Sequence, residues 1–337
     1  MTQAPVRVRN RGLLARWAFV FQTCNPPPGK VDIVSRWLVL SRACVFPMTI
    51  TSGLVAGLLA VRETGFHAGW FALAAGGLVA AHAANNLMND LFDLDAALDT
   101  KSYPRSLYAP HPVLSGMISR RRLAVAAVVV NLSSLAILVT LAAVRGWPIV
   151  AFALGGFFIS AGYTMPPVRL KKRGLGEPGV FVVWGPLMVG GTYYAAAGAI
   201  PWEIWAASVP YGLLATAVLM GKHIDKMPWD VQAGIGTLPV HIGERAARVA
   251  TLGLMVGFYV SVAALVAVRA LPLPSLLAFV GITRLVPVWK GYRRPKPDEP
   301  PKGYPVWPLW FVSLAFVHTR RAGALFVAGL AIGAVLR

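Results

Sequence analysis

Asp90, Asp93, Asp95 and Asp99 fall within ten residues of one another, in a chain with 13 acidic side chains in all. They follow directly on an apolar run, where desolvating a carboxylate is costly, so the group needs a chemical reason. On a helix, Asn86, Asp90 and Asp93 stand at i, i+4 and i+7 and project from one face, and Asn89 and Asp93 form a second i, i+4 pair. Two carboxylates this close repel unless a cation lies between them. An all-oxygen set suits Mg2+, which is usually held by one or two carboxylates together with substrate phosphates. The pattern therefore points to Mg2+ on Asn86, Asp90 and Asp93, with a diphosphate completing its shell. Basic residues of the same connection, Lys101 and Arg105, are candidate donors to the remaining oxygens. Asp95 reads more simply as a cap or a solvated loop charge.

A second cluster, "GKHIDKMPWDVQAGIGTLPVHIGE", contains Asp225 and Asp230. Five residues apart, they are separated by about 140° around a regular helix and do not share a face. Pro228 is expected to end the helix ahead of Asp230, which then lies in a loop, free to point back toward the first cluster. Asp90, Asp93, Asp225 and Asp230 are thus the candidate catalytic carboxylates. The plainer alternative makes Asp225 and Lys226 solvated charges at a helix end. Between the clusters, "YTMPPVRLKKRGLGE" supplies Tyr163, Arg169, Lys171 and Lys172, either as diphosphate contacts or as an interfacial aromatic and a topology signal.

The elements that must position these residues are membrane helices. Of the 337 residues, 56% are hydrophobic and 13% charged, and the mean hydropathy is +0.61, which excludes a soluble chain. The runs are continuously apolar, so an alternating β-barrel pattern is absent. Nine spans are expected, near 37–61, 68–89, 123–144, 147–165, 179–199, 203–222, 247–268, 271–288 and 306–336. The last is interrupted by His318 to Arg321 and is expected to split into a surface piece and a shorter span. A net charge of +19 raises the question of nucleic acid. The basic residues instead sit in short clusters between apolar runs, with no soluble aromatic module, so no nucleic-acid partner is expected. Lys and Arg concentrate in alternate connections, placing the N-terminus and both acidic clusters on the cytoplasmic side and only Glu63 and Glu203 outside. Cys24 and Cys44 offer neither a disulfide framework nor metal spacing and read as plain residues. Residues 1–35 form a cytosolic tail with an interfacial helix at "GLLARWAFVF", and residues 36–337 form one membrane domain.

Taken jointly, these motifs resemble the UbiA superfamily of intramembrane prenyltransferases. "NDLFDLDAALDT" resembles the first aspartate-rich motif, with the spacing of the menaquinone-type branch that prenylates 1,4-dihydroxy-2-naphthoate. "YTMPPVRLKKRGLGE" with "WGPLMVGGTYY", "DVQAGIGTLPVHIG", "SRACVFP" and "HPVLSGMIS" are similar to further family segments. The resemblance implies nine helices around a central cavity open to the cytoplasmic side of a bacterial inner (plasma) membrane. It also implies Mg2+ bridging both acidic motifs to a polyprenyl diphosphate, and membrane lipid around a lateral opening. By position, Asn86, Asn89, Asp90 and Asp93 match the first cluster and Asp230 the last acid of the second, while Arg42, in the first-span signature, joins the diphosphate-binding set. Two positions differ from the family. Asp225-Lys226 stands where Arg-Asp is usual, and His111 where Arg is common.

The expected activity is Mg2+-dependent transfer of a polyprenyl group to an aromatic quinone precursor, with release of pyrophosphate. Trp184, Tyr193 and Tyr194 are candidate cavity walls. The alternatives are transfer to a lipid or a phosphorylated polyol, or an ion-coupled carrier; acids confined to one membrane face argue against the carrier.

Overall fold

A computed structural model describes residues 12–29, 31–95, 111–302, 304 and 306–336, with side chains for all of these but 93–95. Lys101, Arg105 and Asp99 lie outside the described residues. Secondary structure among the described residues is helical apart from one isolated backbone bridge, Arg173 to Gly236.

Two short helices come first, α1 (Leu13–Thr23) and α2 (Ile33–Leu40). Among the described residues, nine helices long and apolar enough to cross a membrane follow: α3 (Phe46–Ala60, entered through a 3-10 turn at Ala43–Val45), α4 (Ala68–Asp95), α5 (Arg120–Arg145), α6 (Trp147–Thr164), α7 (Gly176–Ala197), α8 (Trp202–Gln232), α10 (Glu244–Ala267), α11 (Leu273–Tyr292) and α12 (Phe311–Leu336). The short α9 (Leu238–Ile242) lies between α8 and α10.

The first expected span, 37–61, is in fact broken. Arg42 adopts φ of 54°, a left-handed conformation that no helix continues through. Trp37 to Leu40 therefore belong to α2, whose N-terminus is capped by Asp32 accepting from the backbone N–H of Ser35 at 2.9 Å. Pro47 sits in the first turn of α3, where its missing N–H leaves no bond unmade. Cys24 and Cys44, read as plain residues, come together with their Cα atoms 5.3 Å apart and form a disulfide tying the end of α1 to the turn before α3.

Helix α8 overturns the expected break at Pro228. It runs unbroken for 31 residues through Pro210 and Pro228, and the Pro228 ring is on the exposed side of the helix. Helix α12 likewise continues through "HTRR". His318 and Thr319 turn inward, to the Tyr259 hydroxyl at 2.9 Å and the Leu214 carbonyl at 3.2 Å, while Arg320 and Arg321 face outward. In α7, Pro186 is absorbed by a π-turn at Val183–Leu187, and the carbonyl of Trp184 accepts from Ser52 of α3 at 2.7 Å.

α8 is the buried axis, packed by α3, α7, α10 and α12. Between membrane helices the drive is close packing more than the hydrophobic effect, and small residues permit it. A Cβ on Gly221 would stand 2.9 Å from the Phe311 carbonyl oxygen, so only glycine lets α12 approach there. At one end of the bundle, the far end, Arg145 donates to the carbonyls of Ala195 and Ala196 at 2.9 and 3.0 Å, and Tyr194 donates to the Arg145 carbonyl at 2.9 Å. Tyr194 is thus at the far end, away from the acidic clusters, and Tyr193 is packed into the core. Both acidic clusters lie at the opposite end, the site end.

Candidate active site

The last turns of α4 carry the first cluster. Asn86 is buried and its side-chain N–H donates to the Ser41 carbonyl at 2.9 Å, leaving its amide oxygen to face another partner. Asp90, one turn on, is fully buried, and the Arg42 guanidinium donates to its Oδ1. The left-handed turn at Arg42 that breaks the first span is what brings this side chain to α4. His111 closes the same corner. Its Nδ1 accepts from the backbone N–H of Val113 at 3.2 Å, leaving Nε2 to donate to the Asp90 carbonyl at 3.1 Å. Asn89 is half-buried, and its side chain makes no hydrogen bond among the described residues. The α4 backbone continues helically through Asp93, and the side chain of Asp93 is outside the described set.

The second cluster splits in two. Both carboxylate oxygens of Asp225 are engaged, by the backbone N–H of Phe311 at 3.0 Å and of Val312 at 2.9 Å, so this acid caps the N-terminus of α12. Asp230, expected in a loop, is on the helix and has no solvent exposure, and neither of its oxygens has a hydrogen-bond partner among the described residues. A buried carboxylate in that state calls for a cation. Lys226, also buried, lies one turn before Asp230 on the same helix.

Sequence reasoning picked out Tyr163 but passed over its partners. The Tyr163 hydroxyl bonds His223 Nε2 at 3.2 Å, and His223 Nδ1 bonds Glu177 Oε1 at 2.7 Å, a chain joining α6, α8 and α7. His223 and Glu177 are both buried. The available signal was two ionisable residues placed where spans meet their site-end connections, in "GKHID" and "GLGE". Of Arg169, Lys171 and Lys172, Lys171 is half-buried, whereas Arg169 and Lys172 are exposed.

Among the described residues no three His, Cys, Asp or Glu side chains converge on one point. A cation here would rest on Asp90 and Asp230 with the Asn86 amide oxygen, and the unbonded oxygens of Asp230 fit one.

The sequence matches the UbiA prenyltransferase family over residues 49–316. The chain belongs to this family. It is therefore an integral membrane prenyltransferase, and nine candidate spans accord with that. Among UbiA relatives, the 2-carboxy-1,4-naphthoquinone phytyltransferase of Synechocystis is 27% identical over 244 residues, covering 71% of this chain and 74% of the relative. The digeranylgeranylglyceryl phosphate synthase of Natronomonas pharaonis is 28% identical over 242 residues, covering 71% and 76%. A UbiA homolog from Archaeoglobus fulgidus, solved bound to GPP and Mg2+, shares the fold with a TM-score of 0.61 at 16% identity, covering 89% of this chain and 100% of that one.

Proposed function

We propose that this UbiA-family enzyme catalyses Mg2+-dependent transfer of a polyprenyl group from a polyprenyl diphosphate to an aromatic quinone precursor, with release of pyrophosphate. The observation that carries the reading is Asp230, fully buried with both oxygens unbonded. Asp90, Asp93, Asp230 and the Asn86 amide oxygen would hold the cation. Arg42, Asn89 and Lys171 would meet the diphosphate, joined by Tyr163 and, from the connections, Lys101, Arg105, Arg169 and Lys172. Asp225 stands outside the catalytic set, because its oxygens belong to α12. The bound Mg2+ would neutralise charge on the leaving diphosphate.

Cleavage of the allylic carbon–oxygen bond leaves an allylic cation and pyrophosphate, and donors already aimed at the leaving oxygens lower that barrier. Arg42 is such a donor, fixed by its backbone turn and by Asp90. Burial keeps water from the allylic cation until the electron-rich acceptor carbon attacks it, and loss of the proton on that carbon then restores the aromatic ring. Glu177 and His223 orient the Tyr163 hydroxyl at the site. The Lys- and Arg-rich connections support a cytoplasmic site end. The naphthoquinone relative supports a bicyclic quinone precursor as acceptor. Transfer to a phosphorylated polyol lipid is the second reading, supported by the archaeal synthase, which matches this chain over a similar length.

Purified enzyme incubated with Mg2+, a labelled polyprenyl diphosphate and each acceptor class decides by product mass. The expected result is a prenylated naphthoate that disappears with chelator and in Asp90→Asn and Asp93→Asn. A prenylated glyceryl phosphate would establish the second reading. Substrate flux across proteoliposomes without covalent product would overturn both.

A further inference from the structure

Three exposed arginines, Arg284, Arg320 and Arg321, stand partway along the last two candidate spans. Tyr292, at the end of α11, accepts from Arg248 near the start of α10 at 3.3 Å, and its hydroxyl donates to the Phe311 carbonyl at 2.8 Å. These bonds put the site-side ends of α10, α11 and α12 at one level. Arg320 and Arg321 follow Phe311 by nine and ten residues, about 14 Å further in, and Arg284 precedes Tyr292 by eight, about 12 Å in. A Cβ on Gly281, near the middle of Leu273–Tyr292, would stand 3.3 Å from the Cα of Ala322, so Arg321 is at mid-crossing by the neighbouring helix as well. All three arginines are exposed. Arg320 lies over the Phe316 ring at 5.7 Å, and Arg321 makes no hydrogen bond or ion pair among the described residues.

A guanidinium at mid-bilayer costs about 2.5–3.5 kcal/mol on insertion scales, so two adjacent ones call for a counter-charge. A second copy of this chain does not bring one. Among the acids with described side chains, Asp90, Glu177, Asp225 and Asp230 are buried, and Asp32, Glu63, Glu203, Glu244, Asp298 and Glu299 sit in connections or at helix starts; Asp93 and Asp95 are in the last turn of α4 at the site end. The surface at Arg320 and Arg321 is an open, shallow groove bordered by Val317, Ala324 and Leu325. A guanidinium pair beside an apolar wall matches an amphiphile with a phosphate head and acyl chains. Arginine forks bind phosphate oxygens bidentately, and long stems let the heads rise toward the interface as the lipid head sinks.

We infer that Arg320 and Arg321, with Arg284 at similar depth, form a binding site for the phosphate of an anionic phospholipid of the site-side leaflet, its chains lying along Val317, Ala324 and Leu325. The site is independent of the acidic clusters. A chain of net charge +19 in an anionic leaflet keeps such a lipid near it.

The test is native mass spectrometry of the full-length enzyme in mild detergent, titrated with phosphatidylglycerol or phosphatidylcholine. The expected result is one retained phosphatidylglycerol, preferred about tenfold over phosphatidylcholine, with the preference lost in Arg320→Leu/Arg321→Leu and kept in Arg320→Lys/Arg321→Lys. Thermal unfolding of each variant in detergent, unchanged, establishes that the fold is intact; if the leucine pair does not fold, Arg320→Gln/Arg321→Gln takes its place. Equal retention of the two lipids by the parent, or an unaltered preference in the leucine or glutamine pair, overturns the inference. Displacement of phosphatidylglycerol by stoichiometric geranylgeranyl diphosphate overturns it too, assigning the groove to the prenyl substrate.

Discussion

At the far end of the bundle, Arg145 donates to the carbonyls of Ala195 and Ala196, and Arg62 to that of Ala334, so arginines there close the C-terminal ends of α7 and α12. At the site end Arg42 donates to the side chain of Asp90, and Asp230 keeps two buried oxygens unmatched. One end uses its polar groups to complete helices. The other leaves both oxygens of Asp230 buried without a hydrogen-bond partner among the described residues, at an energetic cost. The same division runs along α8, where Asp225 is bonded by two backbone N–H groups and Asp230, five residues later, by none. Residue type therefore says little here about role; the donors each residue meets decide it.

The comparison breaks most visibly through Asp230. Asp230→Asn is expected to lower turnover on the order of 10³-fold, as loss of a charge stabilising the leaving group does, while the thermal midpoint holds or rises because an unpaired buried charge is removed. Turnover near the parent value, measured with saturating prenyl diphosphate, would return Asp230 to a structural role. Asp225→Ala should do the reverse. Losing the α12 cap is expected to cost about 2 kcal/mol of stability, read from unfolding in detergent, with turnover per folded molecule little changed. Arg145→Ala sharpens the far-end side, with about 1 kcal/mol lost and Mg2+ dependence unaltered.

The smallest effect belongs to Asp32, on the α2 cap outside the spans. The backbone N–H and hydroxyl of Ser35 hold its carboxyl below the usual carboxylate range. A carboxylate with a depressed folded pKa contributes stability above its unfolded value near 3.8 and loses it as pH falls through the folded one. Asp32→Ala should therefore lower the unfolding midpoint slightly at neutral pH, and the gap to the parent should narrow in strong acid. A gap constant with pH would show that the cap does not act through its charge.

Hydropathy made the nine crossings legible, because a helix in lipid needs an apolar run and little else in this chain has one. The amide and carboxylate spacing of Asn86 and Asp90 was legible for a similar reason, since α4 is regular through its last turns. What escaped depended on direction. Nothing in "HIDKMPWD" says that Pro228 faces outward and lets the helix pass, or that Asp225 meets the start of a helix 86 residues away. The pairing of Cys24 with Cys44 rests on α1 folding back, and the Glu177–His223 bond on two helices meeting; both are tertiary facts. "HTRR" looked like a break because four polar residues in a row do not reveal that two point each way.

The length of α8 has a further consequence. At 31 residues it extends about 46 Å, against a hydrocarbon layer of about 30 Å. With Trp202 exposed at the far interface, the last two turns and Asp230 emerge at the depth of the phospholipid phosphates. On the proposed function, an isoprenoid diphosphate floating in the leaflet would carry its charged head at that height and would reach the carboxylates by sliding sideways, without its tail leaving oil.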